Sequence, residues 1–337
     1  MGQVIVIGGG PCGLSVAASL QERGIACLVL EKGGIVNSIA AFPANMRLYS
    51  TSDRLEIGGV PFLSEEERPT RNEVMRYYRL LTARLGIAIR TFHRVTDVVR
   101  TGGGFEVRAA DQHGRDVSFE ADEVVIATGT YDQPRLIEAP GEQLPKVRHY
   151  YTEGHSYAGM RVLVVGGKNS AVEAAIDLYR NGADVTLVHR GDTVLKGIKP
   201  TLMLDIRNMI EKQRIRFYPQ SHVLRIEEDY VRLLTEEGEV EVPNDFVFSL
   251  IGYQPDIALL RRLDIGIDEE TKSPRFDPFT YETDAPGVYV AGVVTAGITN
   301  TVFIDDGRLH GPAIAEAIAA RRQAAGLVRS GGSGTIA

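Results

Sequence analysis

Residues 4–32 read VIVIGGGPCGLSVAASLQERGIACLVLEK, and residues 162–190 read VLVVGGKNSAVEAAIDLYRNGADVTLVHR. Laid over each other at an offset of 158, the two stretches align without a gap. Gly8/Gly166, Gly9/Gly167, Ala17/Ala175, Leu20/Leu178 and Gly24/Gly182 are identical pairs. Each copy is an apolar β-rich run, a glycine turn, a helical pattern closed by glycine, and a second apolar run. That order is a βαβ unit. A lone glycine-rich turn is a weak signal, but two in register, each with strand before and helix after, predict two dinucleotide-binding domains.

In the first copy Gly8 permits the tight turn, Gly10 leaves room for a pyrophosphate at the backbone, and Gly13 lets the helix pack closely on the sheet. Pro11 and Cys12 open that helix, whose free N–H groups and partial positive charge suit phosphates. Glu31, 23 residues after Gly8 and followed by Lys32, ends the second strand where a carboxylate accepts from ribose hydroxyls. In the second copy Gly166, Gly167, Lys168, Asn169 and Ser170 form the turn. Lys168 replaces the middle glycine and Ala171 the last. His189 and Arg190 stand where the first copy has Glu31 and Lys32. A carboxylate repels a 2′-phosphate and a cationic pair attracts one, so NADPH rather than NADH is expected on this copy. Lys196 and Lys199 follow in a loop and either add to that charge or stand as solvated lysines, the reading preferred for each.

Two more apolar strands, DEVVIATG (122–129, ending in Thr128-Gly129) and GVYVAG (287–292, ending in Gly292 before Val293), read as late strands of the sheet that starts at residue 4. DFVFSLIGYQPD (245–256) reads as the late strand of the second domain. The expected fold is α/β, two Rossmann-like dinucleotide-binding domains with the second inserted in the first. The first covers 1–153 plus 283–328, the second 154–282, with Pro134 and Pro255 near the crossings and a disordered Gly/Ser-rich tail over 329–337. The length of 337 residues agrees with about two domains at ~150 residues each.

Composition removes other classes. Apolar residues make up 44% and charged residues 24%, which excludes disorder and collagen-like repetition. The net charge of −7 argues against a nucleic-acid partner. A membrane span is not expected, because no run of roughly 18 apolar residues is free of polar residues or glycine. The opening MGQVIVIGGG lacks a basic segment, so a signal peptide is not expected. Two cysteines, Cys12 and Cys27, make neither a disulfide framework nor a zinc site and fit a reducing cytoplasm. No HExxH and no GxSxG occurs, so metal catalysis and serine hydrolysis are not expected.

The set GGGPCG…E, ATG, VVGGKNSAVEAA, IGYQP and GVYVAG resembles the flavoprotein reductases with two dinucleotide domains, of which the low-molecular-weight thioredoxin reductases are the best known. The resemblance runs from residue 3 to about 325 and implies FAD on the first domain and NADPH on the second. Two departures matter. The chain has no CxxC, so a dithiol relay is chemically impossible. Val293 follows Ala291-Gly292 where such proteins usually carry an aspartate for the ribityl chain. GGGPCGL, FPANMRLYSTSDRLEIGG (42–59), TNTVFIDDGRLHG (299–311), GGKNSA and Val293 together resemble the bacillithiol disulfide reductase family. That resemblance implies NADPH-driven, FAD-mediated reduction of the disulfide of a small thiol, a cytoplasmic location and a homo-oligomer.

Cys12 is the candidate catalytic residue. A thiol at a helix N-terminus is expected to have a lowered pKa and to attack a substrate disulfide. Against this, a pyrophosphate in the same loop raises a thiol pKa, and Ser170, its counterpart in the repeat, is a small residue with no redox role. Asn45, Ser50 and Thr51 are candidates to reach the isoalloxazine, and Arg47, Arg54 and Arg308 to meet an anionic thiol. Gly311-Pro312 opens the last helix toward the flavin, and of Asp305, Asp306, Arg308 and His310 just before it one or more are expected near the flavin or the substrate entry. Cys27 reads as a core residue. Three alternatives stand: a flavin-containing monooxygenase, whose FxGxxxH motif is absent before His149; a ferredoxin or flavodoxin NADP reductase of thioredoxin-reductase type; and a non-catalytic redox sensor.

Overall fold

The computed structural model describes residues 2–192, 198–299 and 301–331. They form two compact units, one of residues 1–40, 46–133 and 253–337, the other of 41–45 and 134–252.

The first unit is built on a parallel sheet of five strands. In spatial order these are Val288–Val290, Glu123–Ile126, Val4–Ile7, Cys27–Leu30 and Ile89–Arg90. The helix Pro11–Glu22 connects Val4–Ile7 to Cys27–Leu30, whose register pairs Val4 with Cys27. The innermost strands are buried at every position because both faces are covered. Ile5, Ile7, Val124, Ile126, Val288 and Val290 share one core with Val98, Phe105 and Val107 of an antiparallel three-stranded sheet (94–101, 104–110, 116–121). The helix Arg71–Leu85 starts on a capping box between Thr70 and Glu73 and ends on Gly86 in the left-handed region.

The second unit repeats the plan. Its parallel sheet runs Arg216–Tyr218, Asp184–Val188, Arg161–Val165, Phe246–Ser249, Val147–Arg148, with helix Asn169–Arg180 joining the two strands of the repeat. It too carries an antiparallel three-stranded sheet (222–226, 230–235, 238–243), packed through Ile226, Val231, Leu233 and Val242 on Leu163, Val188 and Val247. The duplication therefore extends beyond the paired sequence stretches to the antiparallel sheets and the following strand.

The unit boundaries fall at 133/134 and 252/253, not at the expected 153/154 and 282/283. Two packing facts account for this. Val147 and Arg148 pair with Val247 and Phe248 in the second sheet. Leu259, Leu260, Leu263 and Ile265, expected in the second domain, sit in the core of the first. The tail also differs. Helix His310–Gly331 continues through 329–331, and 332–337 lie outside the described residues.

Candidate functional site

The first glycine turn is set by contact limits. Gly8 has φ +112°, and a Cβ there would stand 2.5 Å from the Ala127 carbonyl oxygen. Thr128 and Gly129 continue from that carbonyl and are half-buried. A Cβ on Gly13 would stand 2.0 Å from Gly8 O, so the helix seats directly on the turn. Gly10 differs, since a Cβ there meets no described atom within 4 Å. It is the N-cap of Pro11–Glu22, and no side chain hydrogen-bonds to that cap. The helix N-terminus is open above Gly10, which is what a pyrophosphate requires.

The second turn repeats this geometry. A Cβ on Gly166 would stand 2.5 Å from Leu250 O, the counterpart of Ala127 O. Lys168 is the N-cap of Asn169–Arg180, again without a side-chain cap. Lys168 and Ser170 are exposed and Asn169 is half-buried. Asn169 Oδ1 accepts the Lys199 backbone N–H at 3.0 Å, and Lys199 Nζ lies 3.4 Å from Glu173 Oε1. Lys199 is thus paired with a carboxylate instead of freely solvated, and Lys196 lies outside the described residues.

The positions expected to meet the ribose are built differently in the two copies. Glu31 is buried; its Oε2 accepts the Gly9 N–H at 2.7 Å and its Oε1 the Gly33 N–H at 2.9 Å. Burial pushes its carboxyl above the ordinary range, against the pull of those two amides. Glu31 therefore braces the glycine turn against the second strand, a role its spacing did not disclose. Lys32 pairs with Asp132 at 2.5 Å. In the second copy the His189 ring fills the corresponding place. A Cβ on Gly167 would stand 2.3 Å from it, and one on Gly191 2.9 Å from its Nε2. Partial burial, with help from Arg190, lowers the His189 pKa. Burial thus disfavours the charged form of His189, the first member of the expected cationic pair, while Arg190 is exposed.

Cys12 is buried just past the end of the last strand. A Cβ on Gly292 would stand 2.6 Å from Cys12 Sγ, and one on Gly307 2.8 Å from it. Burial pushes the thiol up to about 12, only partly opposed by the Val293 N–H that donates to the sulfur. The expectation of a lowered pKa is reversed, because enclosure outweighs the helix N-terminus. Cys27 is half-buried, with its thiol pushed up to about 11 by burial.

Around this turn the structure gives partners to residues of the stretch 299–311 and of the last helix. Gly292 N–H donates to His310 Nδ1 at 3.1 Å, and the His310 ring stacks on Tyr281 at 4.1 Å. Ser15 Oγ donates to Arg308 O at 2.5 Å, and a Cβ on Gly311 would stand 2.7 Å from Ser15 O, so the last helix lies directly on the first. Gly307 also lies against Cys12, and the sequence marked it only as part of the stretch TNTVFIDDGRLHG. The trio Asn45, Ser50 and Thr51 is divided, with Asn45 exposed in the second unit and the other two half-buried in the first. Arg47 pairs with Glu66 at 2.7 Å. Among the described residues no His, Cys, Asp and Glu group could hold a metal ion, and no helix is long and apolar enough to cross a membrane.

Two parallel sheets, each with an uncapped glycine turn at the head of its first helix, define an oxidoreductase with two dinucleotide cradles and a thioredoxin-reductase-like fold. Residues 5–292 match the model of the pyridine nucleotide-disulphide oxidoreductase family, and the chain belongs to that family. Flavin and a nicotinamide nucleotide are the cofactors that membership implies. The chain is 41% identical to bacilliredoxin reductase Bdr of Bacillus subtilis, covering 95% of this chain and 98% of the relative. The solved bacillithiol disulfide reductase Bdr (YpdA) of Bacillus cereus is also 41% identical, with a TM-score of 0.93 over 95% of this chain and 99% of that one. T. acidophilum thioredoxin reductase, 22% identical with a TM-score of 0.75 over 95% of this chain and 98% of its own, shares the fold.

Proposed function

We propose that this protein is an NADPH-dependent, FAD-containing reductase of the disulfide of a low-molecular-weight thiol, bacillithiol disulfide. In the balanced reaction, NADPH, one proton and the disulfide yield NADP⁺ and two thiols. The observation that carries this reading is the pair of glycine turns with unlike ribose ends, buried Glu31 in one and exposed Arg190 in the other. The choice of acceptor follows the Bacillus cereus relative, which is named a bacillithiol disulfide reductase.

FAD would be held in the first unit by the open turn at Gly8, Gly10 and Gly13, by Pro11 and Cys12, and by Glu31, Thr128, Gly129, Gly292 and Gly311. NADPH would be held in the second by Gly166, Gly167 and Lys168 through Ser170, with Arg190 on the 2′-phosphate. Bound flavin supplies a carrier of two electrons from the nicotinamide to the disulfide. The residues of the chain supply phosphate binding at two helix N-termini and charge selection at Arg190. The enclosed and protonated Cys12 supports packing over attack, so in this reading the disulfide is reduced without a mixed disulfide to the protein. A cytoplasmic location and a homo-oligomeric assembly belong to the same proposal.

The Bacillus subtilis relative is named a bacilliredoxin reductase, which favours a second reading in which the acceptor is a small protein disulfide. Purified protein should be yellow, and NADPH oxidation should be compared with bacillithiol disulfide, bacilliredoxin, glutathione disulfide, thioredoxin, ferredoxin and oxygen. A protein that stays colourless with added FAD, or that turns over NADPH with no disulfide, would defeat the proposal.

A further inference from the structure

The helical turn Ile304–Gly307 packs on the turn Gly292–Ala296 that follows the last strand. The contact is close, since a Cβ on Gly307 would stand 2.8 Å from both Cys12 Sγ and Gly292 Cα. Asp305 is two residues back on that turn. Its Oδ2 faces Arg54 Nη1 at 4.0 Å, while its Oδ1 is buried with no hydrogen-bond partner among the described residues. Arg308 Nε on the same segment is also buried without a partner, although its Nη1 donates to Glu56 O at 2.8 Å.

A carboxylate oxygen only accepts, and leaving one buried and unpaired is costly. The group that completes Asp305 must therefore be a donor. Gly307, two residues on, lies against Cys12 and Gly292, which puts Asp305 close to the first glycine turn and the end of the last strand. Val293, just past that strand, has no side-chain acceptor, and its N–H is taken by the Cys12 sulfur. Flavin has donors of the right kind in its ribityl hydroxyls and its ring N–H.

We propose that Asp305 is a flavin-binding residue whose inward oxygen accepts a hydrogen bond from a donor on the bound flavin. The proposal rests on the FAD reading of the first unit and adds a residue that its glycine motifs do not contain.

The test compares purified holoenzyme with Asp305→Ala, Asp305→Asn and, as a control, Glu316→Gln, an exposed position paired only with Arg23 among the described residues. FAD release on dilution is followed by the fluorescence of free flavin, and the flavin midpoint potential is measured beside it. Asp305→Ala is expected to hold FAD about 10- to 100-fold more weakly, the range for one lost charged hydrogen bond. Asp305→Asn, which keeps an acceptor oxygen, is expected to recover part of that affinity and decides the matter if the alanine variant does not fold. A weaker complex with a potential shifted upward places the bond on the ring, because a negative charge there opposes added electrons. A weaker complex at unchanged potential places it on the ribityl chain. FAD retention and potential equal to those of Glu316→Gln in both Asp305 variants would overturn the proposal. A wild-type protein that takes up no FAD would overturn the FAD reading, and this inference with it.

Discussion

Cys12 and Gly292 are locked together: Sγ occupies the space where any larger residue at 292 would place its Cβ, 2.6 Å away. The thiol thus ties the first glycine turn to the end of the last strand, and its burial keeps it protonated, with a pKa pushed up to about 12. Cys12→Ser is expected to keep FAD and to turn over NADPH with the disulfide at near wild-type rate. Losing a catalytic nucleophile costs orders of magnitude, whereas a near-isosteric packing change costs about 1 kcal/mol of stability. Steady-state kinetics on folded, yellow Cys12→Ser settles it, and a collapse of turnover with FAD retained would restore Cys12 as the attacking group.

Gly307 closes the other side of the sulfur and meets backbone as well, with 2.8 Å from an added Cβ to Gly292 Cα. Backbone cannot swing aside as a side chain can. Gly307→Ala is expected to destabilise the first unit by about 1–3 kcal/mol and to lower FAD retention. Thermal unfolding followed by flavin fluorescence measures both, and an unchanged midpoint would contradict the packing.

His310 accepts the Gly292 N–H and is buried against Tyr281, and burial lowers its pKa to about 4, with Asp306 opposing. The folded protein resists protonating this ring more than the unfolded chain does. Its contribution to stability is full above the unfolded value near 6.5 and is lost as pH falls toward 4. The loss is on the order of 3 kcal/mol. His310→Gln, which cannot titrate, should show a flatter stability profile between these pH values in urea unfolding. Parallel profiles for the two proteins would remove His310 from the account.

Arg190 is exposed beside His189, whose charged form is disfavoured by burial. Arg190→Ala should raise the KM for NADPH about 10- to 100-fold and leave that for NADH nearly unchanged. The ratio of kcat/KM for the two nucleotides reads this directly, and equal losses with both would show that Arg190 does not select the phosphate.

The βαβ repeat is readable in the chain because glycine spacing is a local steric requirement. Gly8 and Gly166 must avoid the carbonyls of Ala127 and Leu250 whatever else the chain does. The antiparallel sheets at 94–121 and 222–243 are not, since half-exposed strands such as RVTDVVRT mix charges among their apolar residues. The unit boundaries are equally hidden. Leu259 and Leu260 are apolar in either unit, and only their packing against the first core assigns them.

The order of residues alone set what backbone geometry dictates: two glycine turns that open helices, an acid at 31 matched by a basic pair at 189 and 190, and no CxxC pair. Three-dimensional packing decided the electrostatics. The pKa values of Cys12 and Glu31 are raised and that of His189 is lowered because residues far away in the chain, or glycines folded over them, remove water from around them, and desolvation depends on the assembled neighbourhood and not on the local sequence.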